Sequence, residues 1–302
     1  MDLQIDSNLF LRRNVVLSQY TTMQVGGPAK YFVQPNTEEQ LKLAVQYAKE
    51  HALRYVILGK GSNTVFADSG FDGLVISMIR FEETRIDFDI ENRKVYAGSG
   101  VFLYKLALSC CDAGLSGVEF LASIPGTVGG AVMMNAGYSR YVGQKNEIAD
   151  ILQNVHVLDG QLNRRIIPKS ECRFAYRNSN LQGNIILGTE LQLWKRSSEF
   201  IEHEIRENFE YRNREQDLKH PSSGSIFKNP LAPAPSAGIL IDRCGLKGFR
   251  IGNAMVSNVH GNYIINAGGA SASDIIQLIQ EVKSKVFNEY KVSLETEVKV
   301  IE

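Results

Sequence analysis

The chain has 302 residues, 44% of them apolar and 22% charged, with 33 lysines and arginines against 33 aspartates and glutamates. That length predicts about two domains and a core large enough to fold without a disulfide or structural metal. A net charge of zero argues against a general nucleic-acid or membrane-surface binder, while leaving room for a local basic pocket that holds phosphates.

In chain order, Met1-Asp2-Leu3-Gln4-Ile5-Asp6 carries two acids and no apolar segment, so no secretory signal is expected. No stretch reaches the ~18 uninterrupted apolar residues of a membrane helix. Thr37–Ala52 predicts a helix, with Thr37 and Gln40 as a capping box and Leu41, Ala44, Val45 and Ala48 as its apolar stripe. A buried strand is expected at Tyr55–Leu58, and further strands at Leu74–Met78, Lys94–Ala97, Val155–Leu158 and Ile185–Leu193. Between them Phe102–Ala113 predicts a helix closed by Gly114.

From Ser198 the texture changes to a charged helix, Phe200 to about Arg214, followed by four of the eight prolines within fifteen residues. A domain boundary is therefore placed at Arg196–Ser198, giving domains 1–196 and 197–302. Ser273–Tyr290 predicts a strong amphipathic helix, with Ser271 and Asp274 as its capping box. Val292–Ile301 alternates apolar and polar residues, as a half-buried strand does. The last domain is thus expected to be α+β, with helices on one face of an antiparallel sheet. Cys110, Cys111, Cys172 and Cys244 form no CxxC or Cys/His zinc spacing; idle thiols of a reducing cytosol and no metal site are expected.

Two glycine-rich segments carry chemistry. Gly59-Lys60-Gly61-Ser62-Asn63 follows a predicted strand. The second segment includes Pro125, Gly126, Thr127, Gly129 and Gly130, and continues to Asn135 and Gly137. Backbone N–H groups freed by glycine form nests for phosphates, and a helix opening at Gly129-Gly130 would add its own N–H groups. Neither segment has the G-x-G-x-x-G or G-x-x-x-x-G-K-[ST] pattern, so tight turns compete evenly with phosphate cradles.

Taken with Tyr20–Ala29, Phe174–Ser179, Ser223–Pro230, Ala237–Asp242, Gly245–Gly248 and Leu294–Val298, these segments resemble, in order, the UDP-N-acetylenolpyruvoylglucosamine reductase family. The resemblance runs from about residue 15 to the end. It implies an α+β chain: a two-subdomain FAD-binding fold of the vanillyl-alcohol oxidase (PCMH) type, plus a C-terminal α+β substrate-binding domain. It implies non-covalent FAD held by the two glycine segments and NADPH as co-substrate. The implied reaction reduces UDP-N-acetylglucosamine enolpyruvate to UDP-N-acetylmuramate for peptidoglycan, in a cytoplasmic monomer. Leu191-Gln192-Leu193 leads straight into the charged helix, which resembles the shorter type without an extra tyrosine loop. Three features depart from the pattern: the long Leu231–Ser236 segment, Asn213 where a basic residue is usual (between Arg212 and Arg214), and Gly261 where alanine or cysteine is usual.

By the same resemblance Arg177, Ser225 and Glu297 are the catalytic residues, and Tyr176 and Asn229 contact substrate. Hydride addition to the enolpyruvyl methylene leaves an enediolate that needs a cation, a protonated carboxyl group and a general acid. Arginine offers a planar, permanently charged fork, a desolvated glutamate can stay protonated, and serine suffices as acid beside a carbanion. Residue chemistry alone leaves Arg173 level with Arg177, Glu295 level with Glu297, and Ser222 and Ser223 level with Ser225. Tyr176 reads equally as a core residue. A sugar or alcohol oxidase of the same fold, linked to its flavin through histidine, is disfavoured because no histidine lies in either glycine segment. A non-catalytic nucleotide-binding module has no need of Arg177, Ser225 and Glu297.

Overall fold

The computed structural model describes residues 3–6, 9–82, 85–138, 140 and 146–302; part of the Met1–Asp6 segment lies outside the described residues. The chain divides into two compact units. The first comprises Met1–Arg12, Phe32–Lys60 and Leu74–Tyr211, the second Arg13–Tyr31, Gly61–Gly73 and Arg212–Glu302.

In the first unit, α1 (Glu38–Glu50) buries Leu41, Ala44, Val45 and Ala48, the stripe expected from the 3.6 period. Its capping box is half formed. Thr37 Oγ1 accepts from Gln40 N at 3.3 Å, but the Gln40 side chain accepts from Asn36 N rather than from Thr37 N. The following strand, Arg54–Leu58, is not the buried strand expected: only Leu58 is buried, and Tyr55 is exposed. Its β-rich composition reports conformation, whereas burial depends on what packs against each face.

A five-stranded antiparallel sheet forms the centre of this unit, in the order Arg164–Pro168, Leu152–Leu158, Ile185–Gln192, Lys94–Gly98, Ile86–Asp89. Val95, Ala97, Val155, Val157 and Leu191 share one core with α2 (Leu103–Asp112), α3 (Val128–Met133) and the first half of α5 (Ser198–Glu215). The short α4 (Ile148–Ile151) adds Ile148 and Ile151. As expected, α2 ends before Gly114, whose φ of +63° is left-handed.

The second unit has a four-stranded antiparallel sheet, Ser222–Ser225, Tyr263–Asn266, Ala254–Val256, Arg250–Ile251. Ile264 and Val256 pack with Leu240 and Ile241 of α6 (Ala237–Arg243) and with Ile275, Leu278, Ile279 and Val282 of α7 (Ala272–Tyr290). The capping box of Ser271 and Asp274 is complete. A second acid, Asp68, accepts from Ala272 N and Ser273 N at 2.8 Å each, satisfying further orphan donors of the first turn. The expected strand Val292–Ile301 is broken. Thr296 makes an isolated bridge to Phe227, and only Lys299–Ile301 pairs as a strand, parallel to Thr64–Phe66. The segment changes partner midway, which alternation of side chains does not record.

Candidate active site

The glycine segments are shaped by close approaches. Gly59 ends the strand Arg54–Leu58 beside Thr127, and a Cβ there would stand 2.7 Å from Thr127 Oγ1. That oxygen is buried and has no hydrogen-bond partner among the described residues, as is true of the hydroxyls of Ser99 and Ser123. Lys60 Nζ lies 5.0 Å from the Phe102 ring centroid. In the second unit Gly61 adopts φ +68°, and a side chain there would strike the Tyr20 carbonyl. Asn63 donates its amide to the Glu297 carbonyl at 3.2 Å, and its own carbonyl accepts from Lys299 N at 2.9 Å. The conformation of Gly61 is thus a turn requirement, while at Gly59 a side chain would crowd the Thr127 hydroxyl.

The second glycine segment differs from the expectation at its helix. It opens at Val128, and the first two N–H groups already donate to Val101 O and Ser99 O at 2.9 Å each. Gly129 lacks a Cβ because one would meet Ser99 Cβ at 2.8 Å. Asn135, left-handed at φ +44°, is fully engaged. Its amide nitrogen donates to Glu147 Oε2 and Ala175 O, at 2.8 and 3.1 Å, and its oxygen accepts from Ala149 N.

Asn135 thereby ties the second glycine segment to the turn that carries Arg177. Ala175 and Asn178 exchange backbone hydrogen bonds of 3.0 Å, with Tyr176 and Arg177 at the tip. Arg177 sits at φ +53°, Nη2 donating to Gly137 O at 2.8 Å, its guanidinium 5.1 Å from the Tyr176 ring centroid. Arg173 is exposed and Arg177 half-buried, so the anchored arginine is the one in the Tyr-Arg-Asn-Ser motif. Leu193 passes through Trp194–Lys195 into α5 with no inserted loop.

In the second unit Ser225 pairs with Tyr263 across the sheet, at an irregular register next to Gly224 with φ +71°. Glu297 N donates to Ile226 O at 2.8 Å, so Glu297 and Ser225 lie on adjacent segments. The competing residues take other roles. Glu295 is 70% exposed in its side chain and pairs with Lys228 at 2.5 Å; Ser223 is buried, and Ser222 pairs with Ile265. Asn229 Oδ1 accepts from Ala237 N at the start of α6, at 3.1 Å. Leu231, in the long segment, is 91% exposed.

Of the three residues around Asn213, only Arg212 turns inward: it is buried, whereas Asn213 and Arg214 are exposed. Sequence reasoning did not single out a buried cluster around Asp217. Asp217 accepts from Ser257 Oγ at 2.7 Å and lies 3.0 Å from His220 Nδ1. Burial would raise its carboxyl pKa, but His220 and Ser257 together hold it below the ordinary value. The only sequence signal was the acid three residues before a histidine. Burial lifts the Cys110 thiol to about 12 and those of Cys172 and Cys244 to about 11, which keeps them protonated at neutral pH.

A cavity of about 380 Å³ in the first unit, lined by Glu119, Phe120, Trp194, Phe200 and Asn208 among others, contains none of the expected site residues. Among the described residues no group of three His, Cys, Asp or Glu is placed to hold a metal, and no helix is long and apolar enough to cross a membrane.

Comparison with known proteins bears on both units. A family model described as an FAD binding domain matches residues 29–161, and one described as the C-terminal domain of UDP-N-acetylenolpyruvoylglucosamine reductase matches 216–301. The UDP-N-acetylenolpyruvoylglucosamine reductase of Bacillus subtilis is 38% identical over 294 residues, covering 95% of this chain and 93% of its own. Reductase 1 of Bacillus cereus is 38% identical over 293 residues, with the same coverage. The crystal structure of the reductase from Thermus caldophilus superposes with a TM-score of 0.81 at 38% identity, over 97% of this chain and 100% of that one.

Proposed function

The chain belongs to the UDP-N-acetylenolpyruvoylglucosamine reductase family, and on that premise we propose how its own residues carry the reaction. It is an FAD-dependent oxidoreductase that reduces UDP-N-acetylglucosamine enolpyruvate to UDP-N-acetylmuramate in peptidoglycan precursor synthesis. We assign NADPH as reductant, residues 1–196 to FAD binding, 197–302 to substrate binding, and a cytoplasmic monomer as the working form. Unpaired thiols accord with a reducing compartment.

The FAD sites we assign are Gly59–Asn63 and the segment from Pro125 to Gly137. The open face of Gly59 and the unsatisfied Thr127 hydroxyl beside it suit the oxygen-rich pyrophosphate of a non-covalent dinucleotide. When bound, FAD supplies the hydride that the enolpyruvyl methylene carbon accepts.

Charge then builds on the carbon that bears the ether oxygen and the carboxylate. Arg177 faces that carboxylate and stabilises the enediolate with its fixed fork. Glu297, protonated, donates a hydrogen bond to the same group. Ser225 gives its hydroxyl proton to the carbanion: the new C–H bond forms as the O–H bond breaks, and solvent restores the serine proton. The balance is one NADPH and one proton consumed per double bond reduced. Tyr176 and Asn229 are assigned to substrate contact.

The observation that supports these roles is the Glu297–Ile226 backbone hydrogen bond, which puts residue 297 on a segment adjacent to that of the serine. Protein mixed with UDP-N-acetylglucosamine enolpyruvate should consume NADPH absorbance; no substrate-dependent consumption would sink the reading. Glu297→Gln should cut turnover roughly 10²-fold or more, while Glu295→Gln, which only breaks an exposed pair with Lys228, should leave it near wild type. Equal losses would mean the carboxylate is misassigned.

A further inference from the structure

The strand that carries Ser225 ends where the chain opposite it turns away. Ser225 faces Tyr263, but Tyr263 N donates to His260 O at 3.0 Å, so residues 260–263 form a turn. Ile226 N still finds a main-chain acceptor, Asn262 O at 2.9 Å. On the other side of the segment Glu297 N donates to Ile226 O at 2.8 Å, and Lys228 N to Glu295 O at 2.9 Å. Those bonds leave out the peptide N–H and C=O of Phe227, a residue 1% exposed, and buried backbone groups of this kind need partners.

The side chain of Asn262 takes both. Its Oδ1 accepts from Phe227 N at 2.9 Å, and its Nδ2 donates to Phe227 O at 2.8 Å. A primary amide offers the donor and the acceptor of a peptide group, so it completes the pairing that the turn interrupts. Asn262 is 4% exposed and is itself anchored, its N–H donating to His260 Nδ1 at 3.1 Å. Gly261 beside it lies against α6, where a Cβ would stand 2.5 Å from Gly238 O. With the bond to Ile226 N, one residue makes three hydrogen bonds to the two residues that follow Ser225.

We infer that Asn262 is a positioning residue for proton delivery: by clamping Ile226 and Phe227 it fixes the backbone from which the Ser225 hydroxyl reaches the substrate carbon. The inference rests on the assignment of Ser225 as the acid. A serine hydroxyl turns on a single bond, so a shifted backbone carries it out of line and the side chain cannot correct the error. The role asked of Asn262 is geometric and needs no bond of its own to substrate. Sequence order gives it no mark, because an asparagine next to a glycine reads as a turn residue.

The test is Asn262→Leu in the FAD-loaded protein, which keeps much of the volume and removes both side-chain hydrogen bonds. Reoxidation of the NADPH-reduced flavin by UDP-N-acetylglucosamine enolpyruvate should slow roughly 10²-fold. Flavin reduction by NADPH and calorimetric affinity for the enolpyruvate should stay near wild type. The solvent deuterium isotope effect on reoxidation should rise, because the serine proton exchanges with solvent and its transfer becomes the slow step. In the Ser225→Ala background Asn262→Leu should add little, since the group it positions is gone. Asp217→Asn, which loosens Ser257 and His220 instead, should lower the thermal midpoint without raising the isotope effect. If Asn262→Leu does not fold, Asn262→Asp keeps an acceptor for Phe227 N, loses the donor to Phe227 O, and should show the same signature to a lesser degree. An unchanged isotope effect, an equal loss in affinity or flavin reduction, or a loss that persists undiminished beside Ser225→Ala overturns the inference. Wild-type reoxidation in Asn262→Leu beside a slow Ser225→Ala overturns the inference alone. Wild-type reoxidation in Ser225→Ala overturns the assignment of the acid and this inference with it.

Discussion

Arg177 and Ser225 reach their places by opposite means. Arg177 stands at the tip of a two-residue turn, in a left-handed backbone conformation, steadied by the Gly137 carbonyl and by a turn tied to Asn135. That conformation costs an arginine roughly 1–2 kcal/mol. Ser225 sits on a sheet strand paired with Tyr263, and the residues that follow it are held by Asn262 through Ile226 N and Phe227 N. The difference follows from side-chain length. An arginine has four rotatable bonds with which to correct a loosely set backbone, whereas a serine hydroxyl turns on one and goes where its strand goes.

The proposed chemistry lets the two placements be compared directly. Removing the hydroxyl should have the largest effect. Ser225→Ala should leave flavin reduction by NADPH near normal and slow reoxidation by the enolpyruvyl substrate by roughly 10²–10⁴-fold. Stopped-flow absorbance of the flavin reads both halves, and reoxidation at the wild-type rate would remove Ser225 from the mechanism. Arg177→Lys should cost less, about 10²-fold in the same half-reaction, because the charge survives and a flexible stem restores part of the contact while the fork is lost. If this variant proves slower than Ser225→Ala, the turn is as exacting as the strand and the contrast fails.

The smallest expected effect concerns the buried Asp217. Asp217 joins the end of α5 to Ser257, and its carboxyl pKa is held below the ordinary 3.8. A depressed carboxyl pKa stabilises the fold fully above the unfolded value and loses that contribution as pH falls through the folded one. Asp217→Asn should therefore lower stability at neutral pH by about 1–3 kcal/mol, and the gap to wild type should close as pH falls below 3.8. Thermal midpoints across that range check the sign; a gap that widens in acid would place the effect elsewhere.

Much of this protein was legible from residue order alone. The stripes of α1 and α7, the Ser271–Asp274 cap and the stop at Gly114 rest on contacts three or four residues apart, where sequence and space coincide. The ordered blocks identified the family and fold class, since each glycine, serine or arginine there stands at a set spacing from the next. Tertiary structure decided what depends on distant chain. Asp68 caps a helix 204 residues away, Asn63 holds the Glu297 backbone, and the last strand divides between Phe227 and Thr64. It also gave Glu295 and Glu297, alike in type and on one face of the alternating pattern, different surroundings. Solvent, ion pairing and burial differ between them because each is defined by which other segment packs against it, and local sequence contains no record of that neighbour.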